Sequence, residues 1–232
     1  MPKRPGGELA TRPLHFIWIC DCSGSMAADG KIQSLNFAIS EAIPHMKKVA
    51  DENPNADVLV RAIKFSSGAQ WTISQPVPAA DFQWQDLSAE GVTDMGKALS
   101  MVAEQLKLLS DRGLPPVLVL ISDGQPTDNF EAGLKDLMSL PWGKKAVRIA
   151  IAIGDDADTD VLQKFIGHVE IKPLVAKNSA ALVNYIKWVS TAVLESASSP
   201  ASQSADAANL TINVPIPTPP DADNQASATD VW

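Results

Sequence analysis

The chain has 232 residues, 45% of them hydrophobic, and a net charge of -8. That length accommodates one sizeable α/β domain with something to spare. The acidic balance, with no basic stripe, argues against nucleic acid as the main partner. Half of the charge comes from Ser196 to Trp232, where four acids (Asp206, Asp221, Asp223, Asp230) stand without Lys or Arg.

Strand-like and helix-like segments alternate along the chain. Leu14 to Cys20 (LHFIWIC) is a buried-strand run. Lys31 to Glu52 has helical spacing, with Ile32, Leu35, Ala38, Ile39, Ala42, Ile43 and Met46 on one side, and Pro44 should kink or split it. Asp57 to Phe65 reads as a strand, and Ala69 to Ile73 as its hairpin partner across Ser67-Gly68. A Pro-rich loop runs from Gln75 to Asp86. The helix Asp94 to Leu109 carries an apolar stripe of Met95, Ala98, Leu99, Val102, Leu106 and Leu109. Val117 to Ser122 is an apolar strand, and Asn129 to Leu140 a short helix stopped by Pro141. Then come a strand (Lys145 to Gly154), a short helix (Thr159 to Ile166), a last strand (Ile171 to Val175) and a closing helix (Ser179 to Leu194).

Near-continuous apolar strands separated by helices predict a doubly wound, mostly parallel sheet with one antiparallel edge strand and helices on both faces. The chain divides into an N-terminal extension (1–12), this domain (13–195) and a Ser/Ala/Pro/Asp-rich tail (196–232) expected to be disordered. Within the tail, Leu210 to Ile216 and Val231-Trp232 are apolar anchors able to dock on the domain or a partner, and Thr211, Thr218 and Thr229 are candidate kinase targets. Met1-Pro2-Lys3-Arg4 has the charge of a leader's start, but the first apolar run comes late, is short and ends on Asp21. No apolar stretch is long enough to span a bilayer. A cytoplasmic protein is the expectation. The two cysteines, Cys20 and Cys22, stand two apart at a strand end and read as structural thiols in a reducing compartment.

The chemistry-bearing residues collect at strand ends. Asp21, Ser23 and Ser25 follow the first apolar run, Thr93 follows Gly91-Val92, and Asp123 opens Asp123-Gly124 after the run Val117 to Ser122. In open α/β sheets, ligands bind outside the carboxyl ends of the strands, so one shared rim site is expected. Two carboxylates and three hydroxyls form an oxygen-only set suited to a hard divalent cation, above all Mg²⁺, with Mn²⁺ or Ca²⁺ as alternatives. Ser23, Ser25 and Thr93 can coordinate directly, and Asp21 and Asp123 directly or through water. Neutral hydroxyls leave such an ion electron-poor, so it attracts an outside Glu or Asp carboxylate.

This pattern, Asp21-x-Ser23-x-Ser25 with Thr93 and Asp123-Gly124, resembles the metal-ion-dependent adhesion site (MIDAS) of von Willebrand factor A domains, and the element order agrees over roughly 13–195. Within that family the motifs around Met26, Asp94-Met95-Gly96-Lys97 and Gln125-Pro126-Thr127-Asp128 resemble the bacterial tellurium-resistance-associated (TerY-like) branch. Val92 departs from the usual pattern, which has a second glycine there. The resemblance implies a Rossmann-like fold, no enzymatic activity, and a scaffold in bacterial stress resistance or defence. Its implied partners are a protein kinase and a metal-dependent Ser/Thr protein phosphatase.

Other readings of these residues remain. A Mg²⁺-dependent hydrolase or phosphoryl-transfer enzyme would use Asp21 or Ser23. There is no G-x-S-x-G elbow, His15, His45 and His168 have no evident role as base, and the haloacid-dehalogenase pattern wants an Asp where Ser23 stands. No glycine-rich phosphate loop follows a strand. A structural reading makes the rim Asp and Ser helix caps. Asp155, Asp156, Asp158 and Asp160 read as a solvated turn capping the next helix, and Trp71, Trp84 and Trp142 as loop-packing or rim residues.

Overall fold

A computed structural model describes residues 11–155, 157–199 and 214–221. The extension up to residue 10, Asp156, Leu210, Thr211, Thr229, Val231 and Trp232 lie outside the described residues.

The strands are β1 (Arg12–Asp21), β2 (Ala56–Ser66), β3 (Gly68–Pro78), β4 (Val117–Ser122), β5 (Val147–Ile153) and β6 (Leu174–Ala176). They form one sheet in the order β3-β2-β1-β4-β5-β6. Among the described residues only the β2–β3 pair is antiparallel. From β1 the chain winds first toward β2 and β3, then crosses to β4 and continues toward β6. The carboxyl ends of β1 and β4 therefore flank the point where the winding reverses, the place where such sheets open a crevice.

The buried strands alternate between two cores because successive side chains point to opposite faces. Leu14, Phe16, Trp18 and Cys20 of β1 meet α1 (Lys31–Asp51) and α6 (Ser179–Trp188) on one face. Ile17 and Ile19 meet α2 (Met95–Leu106), α3 (Phe130–Ser139) and α5 (Thr159–Ile166) on the other. Both faces are covered, as expected for a parallel sheet.

Several boundaries differ from the sequence expectation. Pro44 does not split α1. Pro44 and Ser40 lie on its exposed side, so water can serve the Ser40 carbonyl left without a donor, while Ile39, Ala42 and Met46 stay buried on the inner side. β3 runs on to Pro78 through a register irregularity opposite Val60 and Ala62, taking in the first part of the expected Pro-rich loop. Pro141 begins α4 (Pro141–Lys145), in the first-turn position where its missing N–H costs nothing. The closing helix continues through a π segment (Val189–Val193) into α7 (Leu194–Ser198). Beyond it, Val214 is buried in the α1/α6 core and Ile216 packs on it.

Candidate functional site

Asp21, the last residue of β1, is fully buried. Its Oδ1 accepts the Ser23 backbone N–H at 2.8 Å, and its Oδ2 accepts the Ser122 hydroxyl from the end of β4. Burial pushes its carboxyl up from the ordinary value and Asp123 adds to this, while the Ser122 and Ser23 donors pull the other way. With both oxygens engaged and no exposure, Asp21 is poorly disposed to act as a nucleophile.

The Ser23 and Ser25 hydroxyls lie 3.0 Å apart. Ser25 donates to Asp123 Oδ1 at 2.7 Å, which leaves Ser23 to donate to Ser25. The other Asp123 oxygen accepts from the Lys31 ammonium at 2.8 Å, both side chains being buried.

Thr93 is brought in by a loop held from three directions. Glu90 N–H donates to the Cys22 carbonyl at 2.8 Å, and the Gly91 carbonyl accepts from Gly24 N–H at 3.0 Å. Asp94 N–H donates to Ser66 O at 2.9 Å. Thr93 exchanges bonds with Thr127, its N–H donating to Thr127 Oγ1 at 3.0 Å and its carbonyl accepting from Thr127 N–H at 2.9 Å. Gly91 has φ +78°, and a Cβ there would stand 2.3 Å from Ser67 Oγ, so only glycine fits. Val92 needs no such freedom; its side chain is 47% exposed beside Thr93.

Gly124 locates the space these groups share. A Cβ built on it would stand 3.7 Å from Ser25 Oγ, 3.7 Å from Thr93 Oγ1 and 3.9 Å from Asp21 Oδ2. Oxygens from the end of β1 with its following loop, and from the Thr93 loop, thus face one small volume beside Gly124 that a methyl group would fill. Among the described residues no group of three or more His, Cys, Asp and Glu could hold a metal. A cation at this rim would therefore depend on hydroxyl oxygens beside the two carboxylates. That donor set and that volume fit a hard divalent ion.

The structure brings Asp21, Ser23, Ser25, Thr93 and Asp123 to one rim. Sequence reading missed Lys31, Ser122 and Thr127, which hold that set. The signal for Lys31 was available: a cation in the first turn of a helix opposes the helix dipole and needs a partner elsewhere. Asn36 was missed too; it accepts from Leu87 N–H at 2.9 Å and Trp84 Nε1 at 3.1 Å, and donates to Leu87 O at 2.9 Å, fixing the 82–87 loop.

The remaining sequence candidates lie elsewhere. Asp158 caps α5, accepting from Asp160 and Val161 N–H. Trp84 packs under its loop, and Trp142 sits beneath Lys145 at 5.7 Å. Cys20 and Cys22 are free and buried; burial pushes the Cys22 thiol up to about 12 and the Cys20 thiol well above its ordinary value. The described tail residues Val214 to Pro219 line a cavity of about 580 Å³ with Ile149, His168, Leu174 and Trp188, none of them a rim residue. No helix among the described residues is long and apolar enough to cross a membrane.

Three solved structures show what the fold is similar to. A von Willebrand factor type A protein from Catenulispora acidiphila superposes with TM-score 0.61 at 18% identity, covering 79% of this chain and 43% of that one. The pilus adhesin SpaC from Lactobacillus rhamnosus GG gives 0.63 at 14% identity, covering 78% and 30%. Proximal thread matrix protein 1 from the mussel byssus, with a zinc-occupied MIDAS motif, gives 0.60 at 15% identity, covering 82% and 49%. The chain thus spans less than half the length of each. Among curated proteins none matches. The family model of the von Willebrand factor type A domain matches residues 17–182, and the chain belongs to that family.

Proposed function

We propose that the chain is a metal-dependent protein-binding module whose rim takes an acidic side chain from a protein partner. The observation that carries this reading is the convergence of Ser25, Thr93 and Asp21 oxygens around the space beside Gly124. Ser23, Ser25 and Thr93 would hold the ion, with Asp21 and Asp123 orienting water or ligating. Mg²⁺ is the proposed resident, since hydroxyls and carboxylates are hard donors; Mn²⁺ and Ca²⁺ share that preference. The mussel protein's zinc makes Zn²⁺ the control ion for a metal survey. When bound, the ion supplies an electron-poor centre that a carboxylate completes. The protein's part is to hold Asp21 in place through Ser122, and Thr93 through Thr127 and the Gly91 turn.

The resemblance to the tellurium-resistance-associated (TerY-like) branch supports a finer reading: a cytoplasmic bacterial scaffold in stress resistance, working with a protein kinase and a metal-dependent Ser/Thr protein phosphatase. The test is affinity capture from native lysate with wild type in Mg²⁺, wild type in EDTA, and Ser25→Ala in Mg²⁺, each checked for folding by circular dichroism. Ser25 is exposed, so its loss leaves the core intact. A kinase or phosphatase retained by wild type in Mg²⁺ alone is the expected result. Identical captures from all three folded samples would sink metal-dependent adhesion.

A further inference from the structure

Lys31 is the first residue of α1, and its side chain is 7% exposed against Asp123, which is wholly buried. Neither helix nor core accounts for a cation there. The helix dipole opposes a positive charge in the first turn, and a buried ion pair is seldom better for stability than an apolar pair of the same size. The ammonium instead touches the carboxylate that holds Ser25 from its other oxygen. An ion held beside Gly124 by Ser25 would lie next to the carboxylate that Lys31 touches.

Given the metal-dependent reading of the rim, we propose that Lys31 is a fixed counter-cation that lowers affinity for the metal and raises the affinity of the loaded site for an incoming carboxylate. The charges carry the reasoning. Asp21 and Asp123 make the rim negative, and the Lys31 ammonium beside Asp123 offsets one charge. Without Lys31 the rim would be one charge more negative and would bind a divalent ion more tightly. The loaded rim would then be one charge less positive and attract an acidic partner less. Lys31 thereby exchanges affinity for the ion against affinity of the loaded site for a carboxylate.

The test uses the full chain as wild type, Lys31→Met and Lys31→Arg, each checked for folding. Free Mn²⁺ is followed by electron paramagnetic resonance, and acetate binding to the Mn²⁺-saturated protein by water-proton relaxation. A unit charge within about 6 Å of a divalent ion, at water-like screening, changes its affinity roughly tenfold, and that of a monovalent anion roughly threefold. Lys31→Met is expected to bind Mn²⁺ about tenfold tighter and acetate at least about threefold weaker, with Lys31→Arg close to wild type. A merely structural role would weaken both ligands together, and that result would overturn the assignment. So would Lys31→Met binding Mn²⁺ no tighter than wild type, or acetate unchanged. Wild type taking up no Mn²⁺ would instead remove the metal-dependent reading itself.

Discussion

Replacing Gly124 by alanine separates the fold from the site. Its φ lies outside the left-handed region and the new methyl would meet its nearest neighbours at 3.7–3.9 Å, ordinary van der Waals distances. The metal-free protein therefore accommodates Gly124→Ala without a clash. Reduced freedom of the unfolded chain stabilises such a variant by about 0.4–1 kcal/mol. Yet those neighbours are Ser25 Oγ, Thr93 Oγ1 and Asp21 Oδ2, so the methyl occupies the volume a cation would need. Mg²⁺ at a hundred times its dissociation constant would stabilise the wild type by about 2.7 kcal/mol. For a domain of this size that raises the melting temperature by roughly 5–11 °C. Thermal melts with and without Mg²⁺ provide the assay. Wild type should show the shift, and Gly124→Ala should show none from an unchanged or slightly higher metal-free midpoint. A variant that keeps the full Mg²⁺ shift would refute the cradle as the metal's location. A metal-free midpoint several degrees lower would refute the claim that the methyl has room.

Two further outcomes follow from buried titratable groups. His15 is held down to about 4, first by burial and then by Arg61, against an ordinary 6.5. The unfolded chain therefore takes up this proton first as pH falls. The contribution is fully present above the ordinary value and is lost on the way down to the folded one, amounting to about 3 kcal/mol. Urea midpoints from pH 7 to 4 should fall less steeply for His15→Leu than for wild type; parallel curves would contradict this. Arg148 donates to the Phe165, Ile166 and Gly143 carbonyls at 2.8, 3.1 and 2.5 Å, tying the end of α5 to α4. Leaving those carbonyls without a donor in Arg148→Leu should cost about 2–4 kcal/mol in urea denaturation, and a loss under about 1 kcal/mol would mean that water replaces the guanidinium.

The strands and the rim were legible in the sequence for physical reasons. Val117 to Ser122 is apolar at every position but the last because both sheet faces are covered, and the carboxyl ends of such strands collect the polar residues of a site. Asp21 and Asp123 stand out for that reason. What was not legible depends on long-range packing. Pro44 reads as a break because sequence alone does not reveal that its side of α1 faces solvent. β3 reads as shorter because Pro76 looks like a strand breaker; a proline is tolerated there because β3 is a sheet edge, and edge position is a property of the whole sheet. Ser122 and Thr127 are ordinary residues in a list; only the approach of separate loops makes Ser122 the donor that orients Asp21, and Thr127 the residue whose hydroxyl accepts from Thr93 N–H and whose N–H donates to the Thr93 carbonyl. Lys31 carried a local contradiction with the helix dipole, which was the one available hint.

The most direct measurement of the central claim is an anomalous difference map from crystals of the full chain soaked in Mn²⁺. One peak beside Gly124, within coordinating distance of the Ser23, Ser25 and Thr93 hydroxyls and close to Asp21 and Asp123, is the predicted result. A well-diffracting soaked crystal with no peak at that rim, or with its only peak elsewhere on the molecule, would contradict it.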